Sequence, residues 1–431
     1  MTVHMMSAYR RLGALLITIG LVLLASACTK KGESGSDGPI KVGVLHALTG
    51  TMAVSAKPVA EATLMAIEEI NQQGGLLGKT IQPILVDGRS DPATFAREAE
   101  RLITEERVKV IFGLLNSASR RTSKPVFERH NHLLFYPLTY EGLEQSPNII
   151  YTGAAPNQQV IPAVKWCFDN LGKRFFLVGS DLVHSRAINA MIQDQVAALK
   201  GEVVGEEYIL WGSTETKSTI EKIVAAKPAV ILNSITGDSN LAFFRELRRA
   251  GVTPDKTPTM SFTIAERELR TLSIKEMVGD YAAWNYFQSQ PNPENREFLK
   301  RYKARFGADA VTDDPIESAY FGVYLWAAAV KAANSFSVDL VRGALPNQSY
   351  NAPEGLVYID AENNHVWRTA RIGKIDTDGE FDVVWDSQRP LRPVPYPIYR
   401  TKSDWEKLLT DLFIGWKQKW ANPSRQKYES P

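Results

Sequence analysis

Short apolar runs alternate with amphipathic stretches along most of this chain, and the alternation starts at Ile40. Residues 40–45 predict a first strand. Residues 58–71 predict a helix whose apolar face takes in Val59, Ala62, Leu64, Met65 and Ile67. Strands are then expected at 81–86, 108–112 and 133–136. Helices are expected at 91–105, opened by an Asp-Pro start signal, and at 117–130. The rhythm restarts with strands at 175–179, 203–208 and 229–232, separated by helices at 187–199, 218–226 and 241–250. Strands alternating with helices build parallel sheets covered on both faces, so two such series predict an α/β chain of two Rossmann-like, doubly wound lobes. Ligands of open α/β sheets sit at the carboxyl ends of the strands, which places a cleft between facing lobes.

Later segments continue neither series simply. Residues 295–306 and 316–333 read as helices, whereas 356–359, 370–375 and 381–385 look like antiparallel strands of a chain crossing back between lobes. The expected division is 40–156 plus 286–345 for lobe 1, 157–285 plus 346–388 for lobe 2, and an extension at 389–431. Within that extension Trp405, Leu408, Leu409, Leu412, Phe413, Trp416 and Trp420 recur at helical spacing. The stripe is expected to pack on the protein's own body; a docking face for a partner or a membrane is the alternative.

The first residues read as an address. Arg10 and Arg11 precede the uncharged run 12–27, short for a spanning helix of ~20 residues and suited to a secretory signal at 1–27. It ends Leu24-Ala25-Ser26-Ala27-Cys28, which resembles a bacterial lipobox with Ala25 where leucine is usual. Ala25-Ser26-Ala27 also fits an ordinary A-x-A cleavage site, and both readings cut before Cys28, the expected lipidation site. Residues 28–39, rich in Gly, Ser and Lys, then form a flexible tether.

Composition narrows the function. Fifty basic against 48 acidic residues leave a formal charge of +2, without the basic excess that nucleic acid favours as a partner. Cys167, in an apolar run, reads as a buried, inert thiol. Residues 74–80 look briefly like a phosphate-binding loop, but Gln73 stands where its first glycine is required and a strand follows, so they read as a helix cap and turn. There is no G-x-S-x-G, H-E-x-x-H or G-x-G-x-x-G motif, and the pair His130/His132 has no supporting ligand cluster. No catalytic residue, metal or cofactor is assigned; the chain reads as a binder rather than an enzyme.

Several stretches carry a family resemblance: Leu48-Thr49-Gly50-Thr51-Met52-Ala53; Ser117-Ala118-Ser119-Arg120; Leu134-Phe135-Tyr136-Pro137; Tyr140-Glu141-Gly142; Gly153-Ala154-Ala155-Pro156-Asn157-Gln158; and Ala283-Trp284-Asn285-Tyr286. Across roughly residues 40–398 the chain resembles the periplasmic urea and short-chain-amide binding proteins, within the wider type I periplasmic binding family that binds branched-chain amino acids. The resemblance implies two lobes joined by three crossovers, hinge closure on a small neutral solute (urea or a short-chain amide) and delivery to the permease and ATPase subunits of an ABC importer. It implies an exported protein held to a bacterial membrane by its N-terminal lipid. An amide-sensing input protein for a regulator or kinase, or a binder of another solute such as an amino acid, is the alternative.

The same resemblance implies ligand contacts from Leu115, Asn116 and Ser117 after the third strand, from Tyr136, from Asp181 and Leu182, and from Thr236, Gly237, Asp238, Thr263 and Ile264 in the second lobe. Leu115 and Leu182 stand where the family usually has aromatic residues. Enclosed urea loses its water, and each polar group left unpaired costs ~1–3 kcal/mol, so two leucines weaken urea, which stays the first expectation, and suit as its alternative an amide with an apolar tail. Ser117 and its loop N–H groups are the expected donors to the solute carbonyl; Tyr136, Asn116 and main-chain carbonyls are the expected acceptors. Asn116, Asp181 and Asp238 equally suit helix N-caps, Asp87 a loop clamp, and Tyr140 with Glu141 an interlobe turn.

Overall fold

The computed structural model describes residues 38–114, 116–272 and 274–422. The signal segment, Cys28 and Leu115 lie outside the described residues. The first series forms an all-parallel sheet ordered β2-β1-β3-β4-β5, from β1 (Ile40–His46), β2 (Ile81–Asp87), β3 (Ile111–Gly113), β4 (Leu134–Tyr136) and β5 (Ile149–Tyr151). Helices α1 (Ala53–Gln72), α2 (Pro92–Thr104) and α3 (Ser117–Arg129) connect them. Both faces are buried: Val42, Val44, Phe112 and Phe135 join one core cluster, Leu45, Ile111, Leu134 and Tyr136 another.

The second series is α4 (Val160–Asn170), β6 (Arg174–Ser180), α5 (Val183–Ala198), β7 (Glu202–Ile209), α6 (Lys217–Ala226), β8 (Val230–Ser234), α7 (Ser239–Arg249), β9 (Thr259–Ser261), the short α8 (Glu266–Thr271) and β10 (Tyr281–Trp284). The chain then returns through α9 (Pro293–Phe306), α10 (Asp314–Ala333) and α11 (Val338–Ala344) to a small antiparallel sheet of β11 (Ser349–Ala352), β12 (Gly355–Ile359) and β13 (Val366–Trp367). It finally adds β14 (Arg371–Ile375) and β15 (Phe381–Asp386) antiparallel to β10, giving the order β15-β14-β10-β9-β8-β6-β7.

One boundary falls elsewhere than expected. Residues 346–367 were assigned to lobe 2, yet Ala352, Val357, Ile359 and Val366 pack into the first lobe's core with α10. The third crossover is therefore at 368–370, not near 346; an antiparallel hairpin carries no mark of which lobe it will cover. All three crossovers meet at Arg368, which is fully buried. Its guanidinium donates to the Thr152 carbonyl of the first crossover (3.2 Å), to Asp314 (3.0 and 2.9 Å), to Glu317 (3.1 Å) and to Glu354 (2.7 Å). Asp314 in turn accepts the main-chain N–H groups of Asn285 and Tyr286 in the second crossover (3.0 and 3.1 Å). The Asn285 side chain donates to the Gln158 and Thr369 carbonyls, tying the second crossover to the first and the third again.

The tail forms α12 (Lys402–Gly415), capped by Thr401. Its aromatic stripe packs on the body: Trp405, Leu409 and Trp416 are buried against Val183, Ala187 and Met191 of α5 and against Leu143. Cys167 is fully buried, and burial raises its thiol well above the ordinary range. Residues 74–80 form a cap and turn, with Leu76 and Lys79 exchanging main-chain hydrogen bonds. Among the described residues no helix is long and apolar enough to cross a membrane.

Candidate functional site

A cleft of about 950 Å³ opens where the carboxyl ends of the parallel strands of both sheets face each other. The first lobe supplies His46 at the end of β1, Thr51 to Val59 at the start of α1, Leu114, Asn116 and Ser117 after β3, and Leu138 and Thr139 after β4. The second lobe supplies Asp181, Leu182 and His184 after β6, Leu210 and Trp211 after β7, Thr236 to Leu241 after β8, Phe262 and Thr263 after β9, and Trp284 at the end of β10. Each set lies just past a strand end because that is where a parallel sheet leaves main chain unpaired and side chains pointing outward.

Eight of the expected residues line this cleft: Asn116, Ser117, Asp181, Leu182, Thr236, Gly237, Asp238 and Thr263. Tyr136 and Ile264 do not. Tyr136 is wholly buried in the first lobe, its hydroxyl without a hydrogen-bond partner and its ring 4.9 Å beneath the Arg120 guanidinium. Every residue of a three-residue strand in a sheet buried on both sides looks alike in sequence, and Tyr136 faces the core under α3. Ile264 packs in the second lobe's core, and its carbonyl accepts the Trp284 indole N–H (2.7 Å). Leu115 lies outside the described residues.

Several polar groups at the cleft are already committed. Ser117 donates its hydroxyl proton to Glu141 and accepts from Arg120 (3.3 Å), so it has no proton left for a solute carbonyl. This corrects its expected role as a donor. Glu141 is buried; burial lifts its carboxyl, but Arg120 (3.1 Å) and Arg121 (2.8 Å) outweigh that and hold it well below the usual carboxylate range. His184 stands 3.8 Å from the same carboxylate. Asn116 caps α3 through the Ser119 N–H (2.9 Å) while still facing the cleft. Asp181 pairs with Arg186 (2.8 Å) and accepts from Asn422 (2.7 Å). Thr263 donates to the Ile235 carbonyl. Asp238 begins α7 without a capping bond and is exposed at the cleft. Asp87 clamps the loop at Leu48 and Thr49 (2.8 and 3.2 Å) as a loop residue would.

Residues that sequence reasoning missed dominate one end. Pro58, inside α1, has no N–H to give the Val54 carbonyl, the helix acceptor four residues back. Arg267 reaches from the second lobe to that carbonyl and to the Ser55 carbonyl (3.2 Å), joining the lobes across the cleft. A proline this near a predicted helix start signals a carbonyl open to an outside donor. Beside it, burial raises Glu268 to about 7 and Asp313 to about 6. His46 is also buried in the wall; its Nε2 has no partner and burial lowers it to about 3, so the ring is neutral at ordinary pH. Among the described residues no three His, Cys, Asp or Glu side chains gather as metal ligands.

The model of the periplasmic binding protein domain matches residues 40–402. Among curated relatives, a protein of Geobacillus stearothermophilus named limonene hydroxylase is 34% identical over 124 residues, which is 29% of this chain but only 23% of that protein. So local a likeness transfers no reaction. The leucine-, isoleucine-, valine-, threonine-, and alanine-binding protein of Pseudomonas aeruginosa is 22% identical over 75% of this chain and 87% of its own length. Among solved structures, a solute-binding protein of an ABC transporter from Rhodopseudomonas palustris, in complex with 3,4-dihydroxybenzoic acid, superposes with a TM-score of 0.75 at 21% identity. It covers 82% of this chain and 98% of that one, a likeness of fold.

Proposed function

The chain belongs to the periplasmic binding protein domain family, and from that membership we propose that it is the exported solute-binding component of an ABC-type importer. It captures one small organic solute between its lobes and presents it to a membrane permease driven by ATPase subunits. The observation that carries this reading is the cleft at the carboxyl ends of both sheets, walled by residues of two lobes that meet at three crossovers. A solute that touches both walls stabilises the closed arrangement and so signals its own capture.

The wall favours a particular kind of solute. Leu182, Leu210, Trp211, Phe262 and Trp284 make much of it apolar, and 950 Å³ is many times what urea fills. Ser117, the donor expected for a urea carbonyl, is spent on Glu141. Within the amide class suggested by the sequence, an amide with an apolar body therefore fits better than urea. The names of the relatives make aromatic acids and aliphatic amino acids the next compounds to try. Anchoring through a lipid on Cys28 is part of the proposal; mass spectrometry of the mature N-terminus tests it, and an unmodified cysteine excludes it.

A thermal-shift series with urea, acetamide, hexanamide, L-leucine and 3,4-dihydroxybenzoate tests the capture. A bound solute at ~100 times its Kd adds ~2.7 kcal/mol. Hexanamide is expected to shift the melt more than urea. A larger shift with urea overturns the solute class, and silence across the series overturns capture of these solutes.

A further inference from the structure

The family match ends at residue 402, yet the chain continues and comes back to the cleft. After α12 two residues in the left-handed region, Lys417 (φ 55°) and Gln418 (φ 59°), reverse its direction. Residues 420–422 then run antiparallel to the loop that leaves β6. The Val183 N–H donates to the Trp420 carbonyl and the Asn422 N–H to the Asp181 carbonyl (both 3.4 Å), with Leu182 opposite Ala421. The Asn422 side chain adds its bond to the Asp181 carboxylate. Ala421 and Asn422 stand in the cleft wall itself, beside Asp181 and Leu182.

The far side of this segment touches the other lobe. The Trp420 ring lies 4.9 Å from the guanidinium of Arg121, the residue that helps hold Glu141, and packs at a tilt against Phe413 of α12, ring centres 4.5 Å apart. The tail is thus seated on the second lobe by main-chain bonds and on the first by a cation over an aromatic face.

From this we infer that residues 420–422 are part of the solute site: they fix the Asp181–Leu182 loop and set the size of that end of the cleft. The inference rests on the capture reading for its solute, but the support of the loop stands on its own geometry. Physically, Val183 loses the acceptor of its amide if the segment is absent, and Asp181 loses one of its two side-chain partners. A loop at a helix start that loses two tethers opens locally, and a wall that opens lets water and solute exchange.

The test compares the full chain with a chain ended at Lys419, which keeps α12 and its buried Trp405 and Trp416, and with Asn422→Ala. Amide hydrogen exchange of residues 181–188 is read without solute, and hexanamide, L-leucine and 3,4-dihydroxybenzoate are each titrated by thermal shift. Ending the chain at Lys419 is expected to speed exchange at Val183 and raise the apparent Kd of the solute that binds by about tenfold. Asn422→Ala, which removes the side-chain tether on Asp181 and keeps the acceptor of the Val183 amide, is expected to weaken that solute less than the shortened chain does, with Val183 exchange nearly unchanged. Equal exchange in the full and shortened chains overturns the inference, as does faster exchange with a Kd unchanged within about twofold. If none of the three binds even the full chain, the solute class falls, while faster Val183 exchange still upholds the tail as the loop's support.

Discussion

Arg368→Met removes the cation that Asp314, Glu317 and Glu354 share at the meeting point of the crossovers, and leaves a side chain of similar reach. Asp314, Glu317 and Glu354 then face one another in a fully buried space. Breaking a buried ion pair by deleting one partner costs about 3–5 kcal/mol, because the remaining charge is uncompensated. The acids have an escape, however. Burial already raises Glu317 and Glu354 in the intact protein, against the pull of Arg368. Without the guanidinium they rise further, so above about pH 4.5, where unfolded glutamates ionise, the folded variant holds more protons than the unfolded chain. Its stability must fall as pH rises, by up to ~1.4 kcal/mol per pH unit for each proton involved. The deficit against wild type should be about 3–5 kcal/mol at pH 8 and shrink at pH 5 toward the ~1–3 kcal/mol of lost hydrogen bonds. Guanidinium chloride unfolding followed by tryptophan fluorescence at the two pH values measures it. Adding Glu317→Gln should recover part of the loss at pH 8 only. A deficit that is the same at both pH values, or a double variant no better than the single one, refutes the reasoning.

Glu268 and Asp313 keep protons in the folded chain to about pH 7 and 6, whereas the unfolded chain releases them near 4.5 and 3.8. Stability should therefore decline from pH 4 to 7 and level off above, and Glu268→Gln should flatten that slope in denaturation curves taken at intervals of half a pH unit. Gly113 has φ +135° and no room for a Cβ, which would sit 2.1 Å from the Leu45 carbonyl oxygen. Gly113→Ala should cost at least about 1–3 kcal/mol in chemical denaturation, and a neutral result would mean that β1 and β3 can part without penalty. Trp405→Ala empties the seat of α12 and breaks the indole bond to the Pro397 carbonyl (2.9 Å). About 3–5 kcal/mol should be lost from the stability of α12's packing, read by hydrogen exchange along α5.

Much of this architecture was legible because long strands and helices announce themselves. β1, β2, β6 and β7 carry seven or eight residues, enough for a periodic pattern, and each matches its expected span to within a residue or two at either end. β5 and β9, with three residues each, carry no periodicity and went unread. α1 begins before Pro58 because a proline is tolerated where its missing bond lies at the helix start and another group caps the freed carbonyl. The loops at 116–117, 181–182 and 236–238 were carried over from the family resemblance, and each lies just past a strand end at the cleft. Arg267 and Asn422 were not, since each comes to the cleft only through tertiary docking, one on a short helix from the opposite lobe and one on a tail that doubles back; Trp211 lies just past β7, but nothing in its own stretch marks it. Ser117 does line the cleft, but the carboxylate that takes its proton is 24 residues away in sequence.

The first sheet owes its roof to a helix made much later. α10 is buried along nearly its whole length against Val42, Val44, Phe112 and α1, yet it occupies residues 314–333. During synthesis α1 can cover part of that face early, but the part that lies beneath α10 stays open until the ribosome has passed residue 333. The N-terminal half cannot finish folding by itself, and a nascent chain remains threadable for most of its translation, the condition in which a secretion channel takes a polypeptide.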